Sequence, residues 1–156
     1  MRYLVDGSNV LGSRGELNTP GAPDRLLWAI ERFCKRGRST ALVIFDGMEG
    51  RSPGGEFSIG ERVRARVASA IGTADRADRE IIAKIPPHGA EGTIVVTSDA
   101  ALAAAARCRM AQVVDSVSFV RQVEATGARV RDEKEAAAAG VDNAELLRLW
   151  RGNDSV

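Results

Sequence analysis

Three short apolar runs in this chain end on an aspartate: Tyr3-Leu4-Val5-Asp6, Ala41-Leu42-Val43-Ile44-Phe45-Asp46 and Thr93-Ile94-Val95-Val96-Thr97-Ser98-Asp99. Short continuous apolar runs followed by turn residues, such as Gly7, Ser8, Asn9 and Gly47 here, read as strands buried on both faces. Strands of that kind belong to parallel sheets covered by helices. Parallel neighbours need long right-handed crossovers, and the residues between the runs supply helices for them. The expectation is an α/β fold in three layers, with a central, mainly parallel sheet of about five strands flanked by helices.

The intervening segments fill in that frame. Residues 12–23 read as a loop, and Pro23-Asp24 opens a helix. That helix carries Leu26, Leu27, Ile30 and Phe33 on one face and Glu31, Arg32, Lys35 and Arg36 opposite, and Gly37 stops it. Residues 47–60 read as a loop. Residues 62–68 alternate, with Arg62, Arg64 and Arg66 on one face and Val63, Ala65 and Val67 on the other, which predicts a strand at a sheet edge; a helix is the alternative. Helices follow from Asp75 to Lys84 and from Asp99 to Arg107, with a short strand at 111–114. Ser116 stands at an N-cap position ahead of a helix that Gly127 ends, and a last short strand is read at 128–130. Residues 1–130 form one domain in this reading. Residues 131–156 are a helical tail, with Asp142 as a cap and Leu146, Leu147 and Trp150 packing on the domain or a partner.

Composition narrows the function classes. The 156 residues carry a net charge of +1, so no tight, unspecific nucleic-acid binding is advertised. Three of the 22 basic residues are lysines (Lys35, Lys84, Lys134) and the rest are arginines, a bias that serves phosphate recognition or reflects codon usage alone. Cys34 and Cys108 are isolated, which argues against a zinc site or a disulfide framework. With no signal pattern at the start and no membrane-length apolar segment, a cytoplasmic location is expected.

Strand ends in a parallel sheet are about 4.8 Å apart, so aspartates at neighbouring ends can share one ion. With the first strand between the second and the one at 93–97, Asp6, Asp46 and Asp99 converge, and the helix opening at Asp75-Arg76-Ala77-Asp78 brings two more acids over the same edge. Carboxylates gathered this way repel, and a hard divalent cation such as Mg²⁺ relieves the repulsion. Plainer roles stand beside that one. Asp75 and Asp78 also suit a helix N-terminus, and Asp46 a turn. Asn9 either holds the turn after Asp6 or orients its carboxylate; Ser98 either contacts phosphate or caps a helix. His88, alone in a Pro-Pro-His-Gly loop, reads as a surface residue.

These motifs resemble the YacP-like branch of the NYN domains, within the PIN-like nuclease superfamily. The resemblance rests on Leu4-Val5-Asp6-Gly7-Ser8-Asn9-Val10, Val43-Ile44-Phe45-Asp46-Gly47, Thr73-Ala74-Asp75-Arg76-Ala77-Asp78-Arg79-Glu80-Ile81 and Val96-Thr97-Ser98-Asp99-Ala100-Ala101-Leu102, with Ser116 and Phe119-Val120 at the start of the last helix. It implies a PIN-like sheet between helices, carboxylates around Mg²⁺ or Mn²⁺, and hydrolysis of RNA. Carried over by position, Asp6, Asp78 and Asp99 are the core ligands and catalytic acids, with Asn9 and Ser98 in support. The family's opening motif usually has an aromatic residue where Ser8 stands. Ile81, three residues after Asp78, favours Asp78 over Asp75 as the helix ligand.

The first function expected is a metal-dependent endoribonuclease, with Arg51, Arg62, Arg64, Arg66, Arg76 and Arg79 as candidates to hold the RNA backbone. The near-neutral charge leaves room for a larger assembly, such as the ribosome, to supply substrate affinity. The alternative is an inactive NYN domain that binds RNA or ribosomes without turnover. A haloacid-dehalogenase-type phosphatase is rejected, because Met48 stands where that chemistry needs a second aspartate.

Overall fold

Strand β1 (Arg2–Asp6) is central in the computed structural model, which describes residues 1–69, 76–88 and 90–139. It lies parallel between β2 (Thr40–Phe45) and β5 (Thr93–Val96), pairing Leu4 with Leu42 on one side and with Val95 on the other. Beyond β2 come β4 (Val63–Val67), parallel, and β3 (Glu56–Ile59), antiparallel; beyond β5 comes β6 (Gln112–Val114), parallel. The sheet order is β3-β4-β2-β1-β5-β6.

Alternation along β1 divides the core. Val5 faces α2 (Ala22–Gly37) and α5 (Ser116–Ala138), in a cluster with Leu27, Ile30, Val43, Phe45 and Phe119. Leu4 faces the other way, toward α3 (Arg76–Lys84) and α4 (Ala100–Cys108), with Ile44, Ile81, Val95 and Leu102. Both clusters are buried, so the sheet is the middle of three layers, as the strand composition requires.

The structure corrects several local readings. Residues 7–13 form a short helix, α1 (Gly7–Ser13), directly after β1, because the Asp6 carboxylate accepts the Asn9 N–H and starts the turn. The segment at 47–60 contains β3, which takes the sheet edge and makes β4 an inner strand. The helical alternative for 62–68 is thereby excluded. Asp115, not Ser116, caps α5, accepting the Ser118 N–H. Gly127 does not end that helix: it is buried against the domain and has no positive φ, so α5 runs on through 128–130 to Ala138, and the short strand expected there does not form. A two-pronged Arg36–Glu133 ion pair fastens its later turns to α2. The helix runs on from residue 130 into residue 131, where the sequence reading begins the tail. Asp142, Leu146, Leu147 and Trp150 lie outside the described residues.

Glu31 is the least expected element of the fold. Read as part of the polar face of α2, it is 6% exposed, and its carboxylate accepts the N–H groups of Glu61 and Arg62. A buried carboxylate needs such donors. It thereby fixes the turn between β3 and β4, where Gly60 adopts φ 58° and a side chain would collide with Glu31.

Candidate active site

Local folding rules place the acids at one end of the sheet. Asp6 ends β1 and caps α1. Asp99 follows β5 and caps α4, accepting the Leu102 N–H at 2.8 Å. Asp46 follows β2, and its Oδ1 accepts the Ala77 N–H at 3.1 Å, which holds the start of α3 over the same edge. Asp78 sits in the first turn of that helix. Three of the four acids therefore also serve helix N-termini, so the plainer role and the functional one coexist in the same side chains. Each of those three spends one oxygen on a backbone N–H group.

The four acids line one open cavity of about 650 Å³, together with Ser8, Asn9, Leu17, Asn18 and Ser98. Asn9 organises its far wall. Its Oδ1 accepts the Ser98 N–H at 2.9 Å and the Ser116 hydroxyl, while Ser98 Oγ accepts the Ser116 N–H at 3.0 Å. A backbone N–H can only donate, so the Asn9 oxygen must face Ser98, and its NH₂ group is turned away from Ser98. Thr97 joins two of the acids: its Oγ1 accepts the Asp99 N–H at 3.1 Å and reaches Asp6 Oδ2 at 3.5 Å. Ser8 Oγ accepts the Asp46 N–H at 2.9 Å. Where the family usually has an aromatic residue, this chain thus has a hydroxyl that positions an acid. Thr97 and Ser8 were visible in the motifs as letters, but their roles depend on partners far away in sequence.

Asp6 is 4% exposed, and burial pushes its carboxyl up to about 7. The Asn9 N–H pulls it down, while Asp78, with which it shares a hydrogen bond, and Asp46 add to the rise. The folded protein then keeps a proton on Asp6 that the unfolded chain releases near its ordinary value of 3.8. Where the folded state binds more protons, stability falls as pH rises. Glu80 works in the opposite sense. Burial would raise its carboxyl, but the Arg66 guanidinium and the Ser69 N–H outweigh that and hold it low; its contribution is lost only as pH falls into the acid range. Metal-free protein is therefore expected to lose stability to urea between about pH 5 and pH 8. A flat or rising profile over that range would contradict the buried-acid account.

None of the candidate arginines whose side chains are described lines the cavity. Arg66 is held by Glu80 at 2.9 Å and lies 3.8 Å from Glu56, and Arg64 is paired with Glu56 at 2.9 Å. Arg62 and Arg64 line a groove with Arg2 and Thr40, at the end of the sheet opposite Asp6. Arg51 stacks over the Phe57 ring at 3.7 Å, and Arg79 is exposed on α3. Asp75 and the Arg76 side chain lie outside the described residues.

The donor set is all oxygen, which suits a hard divalent cation that keeps several of its waters. Among the described residues no three acids form a ready-made metal cage. The pair of buried Asp6 and half-buried Asp78, sharing a hydrogen bond at the cavity wall, is nevertheless the arrangement that a cation would relieve.

A mostly parallel sheet of this order, clad by helices on both faces and carrying acids at the ends of β1, β2 and β5, is a three-layer PIN-like fold. The chain belongs to the YacP-like NYN domain family, whose model matches residues 3–149. That family is one of PIN-like ribonucleases, which typically use divalent metals and act on RNA. Two solved structures share the fold. A mutant of Rae1 (YacP) from Bacillus subtilis is 19% identical, with a TM-score of 0.70 over 97% of this chain and 96% of that one. Another structure of Rae1 (YacP) from Bacillus subtilis is 21% identical, with a TM-score of 0.61 over 99% and 96%. The comparison with curated proteins gave no match. Among the described residues no helix is long and apolar enough to cross a membrane.

Proposed function

We propose that this chain is a divalent-metal-dependent endoribonuclease of the cytoplasm that hydrolyses phosphodiester bonds of single-stranded RNA, free or on the ribosome. The observation that carries this reading is the buried Asp6 carboxyl, hydrogen-bonded to Asp78 and neighboured by Asp46 and Asp99 around one open cavity. Asp6, Asp78 and Asp99 would hold Mg²⁺ or Mn²⁺, with Asp46 at the side and Asp75 the remaining candidate. Bound there, the ion supplies a water of lowered pKa and offsets the charge of the phosphodiester.

The chain's own groups do the rest. The Asn9 NH₂ group and the Ser98 hydroxyl hydrogen, neither of them used in the Asn9–Ser98–Ser116 network, can donate to phosphate oxygens. Asp46 keeps α3 in place through Ala77 and so fixes Asp78 against Asp6. One water is consumed for each bond: its oxygen bonds to phosphorus, and the departing sugar oxygen takes a proton. The ends of the products test this directly. Attack by water leaves no 2′,3′-cyclic phosphate, and mass spectrometry of the cleaved RNA is expected to find none. Cyclic phosphate ends would mean that the RNA's own 2′-hydroxyl is the nucleophile, and would overturn the assignment.

A further inference from the structure

Among the described residues no arginine lines the acid cavity, so any grip that described arginines have on the RNA backbone lies outside it. A second pocket, of about 230 Å³, lies between α2 and α5 and is lined by Arg14, Arg25, Arg32 and Arg131 against two glutamates. Both glutamates are used by one arginine: Arg14 pairs with Glu16 at 3.4 Å and with Glu124 at 3.7 Å. Arg25 donates to the Pro20 carbonyl. Arg32 and Arg131 have no ion pair among the described residues, yet they converge. Arg131 Nη1 lies 3.7 Å and Arg32 Nη2 3.9 Å from the point that a Cβ on Gly127 would occupy, and nothing else from outside that turn of helix comes within 4 Å of it. Gly127 itself is buried in mid-helix, where glycine is disfavoured, and its missing side chain keeps that space open. Two like charges aimed at one recess, with no carboxylate between them, suit a phosphate, which two guanidinium forks can bridge.

The pocket adjoins the acid cavity through one stretch of chain. Arg14 and Glu16 face the arginine pocket, and the next two residues, Leu17 and Asn18, line the acid cavity. We propose that Arg32 and Arg131 form a phosphate-binding site for the backbone of the RNA strand, holding a phosphate away from the bond that is cut. This rests on the nuclease reading above.

The test is binding of a short labelled single-stranded RNA by anisotropy, in EDTA so that none is cleaved. Arg32→Gln/Arg131→Gln is expected to weaken binding about tenfold at low salt. The slope of log affinity against log salt should fall by about 0.7 for the one phosphate released. Gly127→Leu keeps both charges and fills the recess, so it should show a similar loss. Arg2→Gln/Arg107→Gln removes two exposed charges elsewhere and should cost far less. Melting curves of each variant confirm that it is folded.

Equal binding by wild type, the double variant and Gly127→Leu would overturn the proposal. So would an equal loss in the Arg2/Arg107 control, or no RNA binding by wild type. Inorganic phosphate that stabilises wild type but not the double variant, while RNA affinity is unchanged, would assign a free-phosphate site and overturn the RNA assignment. Failure of the nuclease reading looks different: Asp6→Asn would cleave as wild type does, whatever the arginine variants bind.

Discussion

Asp6→Asn is expected to make the metal-free protein more stable while almost abolishing RNA cleavage. A carboxyl that titrates near 7 in the fold is held there against burial and against Asp78 and Asp46. At pH 8 its ionisation costs the metal-free fold on the order of 2–4 kcal/mol. Asparagine removes that charge and keeps an oxygen to accept the Asn9 N–H that starts α1. Urea unfolding in EDTA should therefore give a higher midpoint for the variant at pH 8 and a smaller difference near pH 5, where Asp6 is already neutral. Cleavage should fall by on the order of 10³-fold, because the residue that gathers the other acids no longer carries charge. If the variant were less stable at pH 8, the strain assigned to Asp6 would be wrong.

Gly7→Ala is expected to damage fold and activity together. A Cβ on Gly7 would lie 2.6 Å from Phe45 Cε1 and 2.9 Å from Val43 Cγ1. Both neighbours are fully buried, so neither can move aside cheaply. Overpacking of this kind costs roughly 1–3 kcal/mol. Gly7 stands between Asp6 and Asn9, so any relief displaces the site, and a shift of about 1 Å at a reacting centre can cost 10²-fold in rate. Gly12→Ala is the control for stability: it lies in the same helix and its Cβ would meet nothing within 4 Å. Denaturant unfolding should separate the two substitutions clearly. Equal stability of the Gly7 variant and wild type would show that the β1–α1 junction is looser than the packing indicates.

What the sequence made legible follows from short-range physics. Asp6, Asp46 and Asp99 could be placed because each follows an apolar run, and a parallel sheet with β1 in the middle aligns those ends. Asp78 could be placed because it opens the crossover helix after β4. What stayed hidden depends on partners far along the chain. Glu31 looks like any charged residue on a helix face until Glu61 and Arg62 bring their N–H groups to it, 30 residues and more away in sequence. Arg66 looked available for phosphate, but Glu80 and Glu56 hold it. β3 has only four residues inside a glycine-rich stretch, too short to show a period, and it took the edge from β4. Gly127 reads as a stop signal in sequence, yet packing against the domain and the Arg36–Glu133 pair carry the helix past it.

Metal-dependent cleavage of RNA at the acid edge, as proposed for this chain, is read by incubating a labelled single-stranded RNA with wild type and with Asp6→Asn/Asp99→Asn, in Mg²⁺, Mn²⁺ or EDTA. Cleavage is expected by wild type in either metal, with none in EDTA and none by the folded double variant in any condition. Cleavage that persists in EDTA or in the double variant would contradict the proposal.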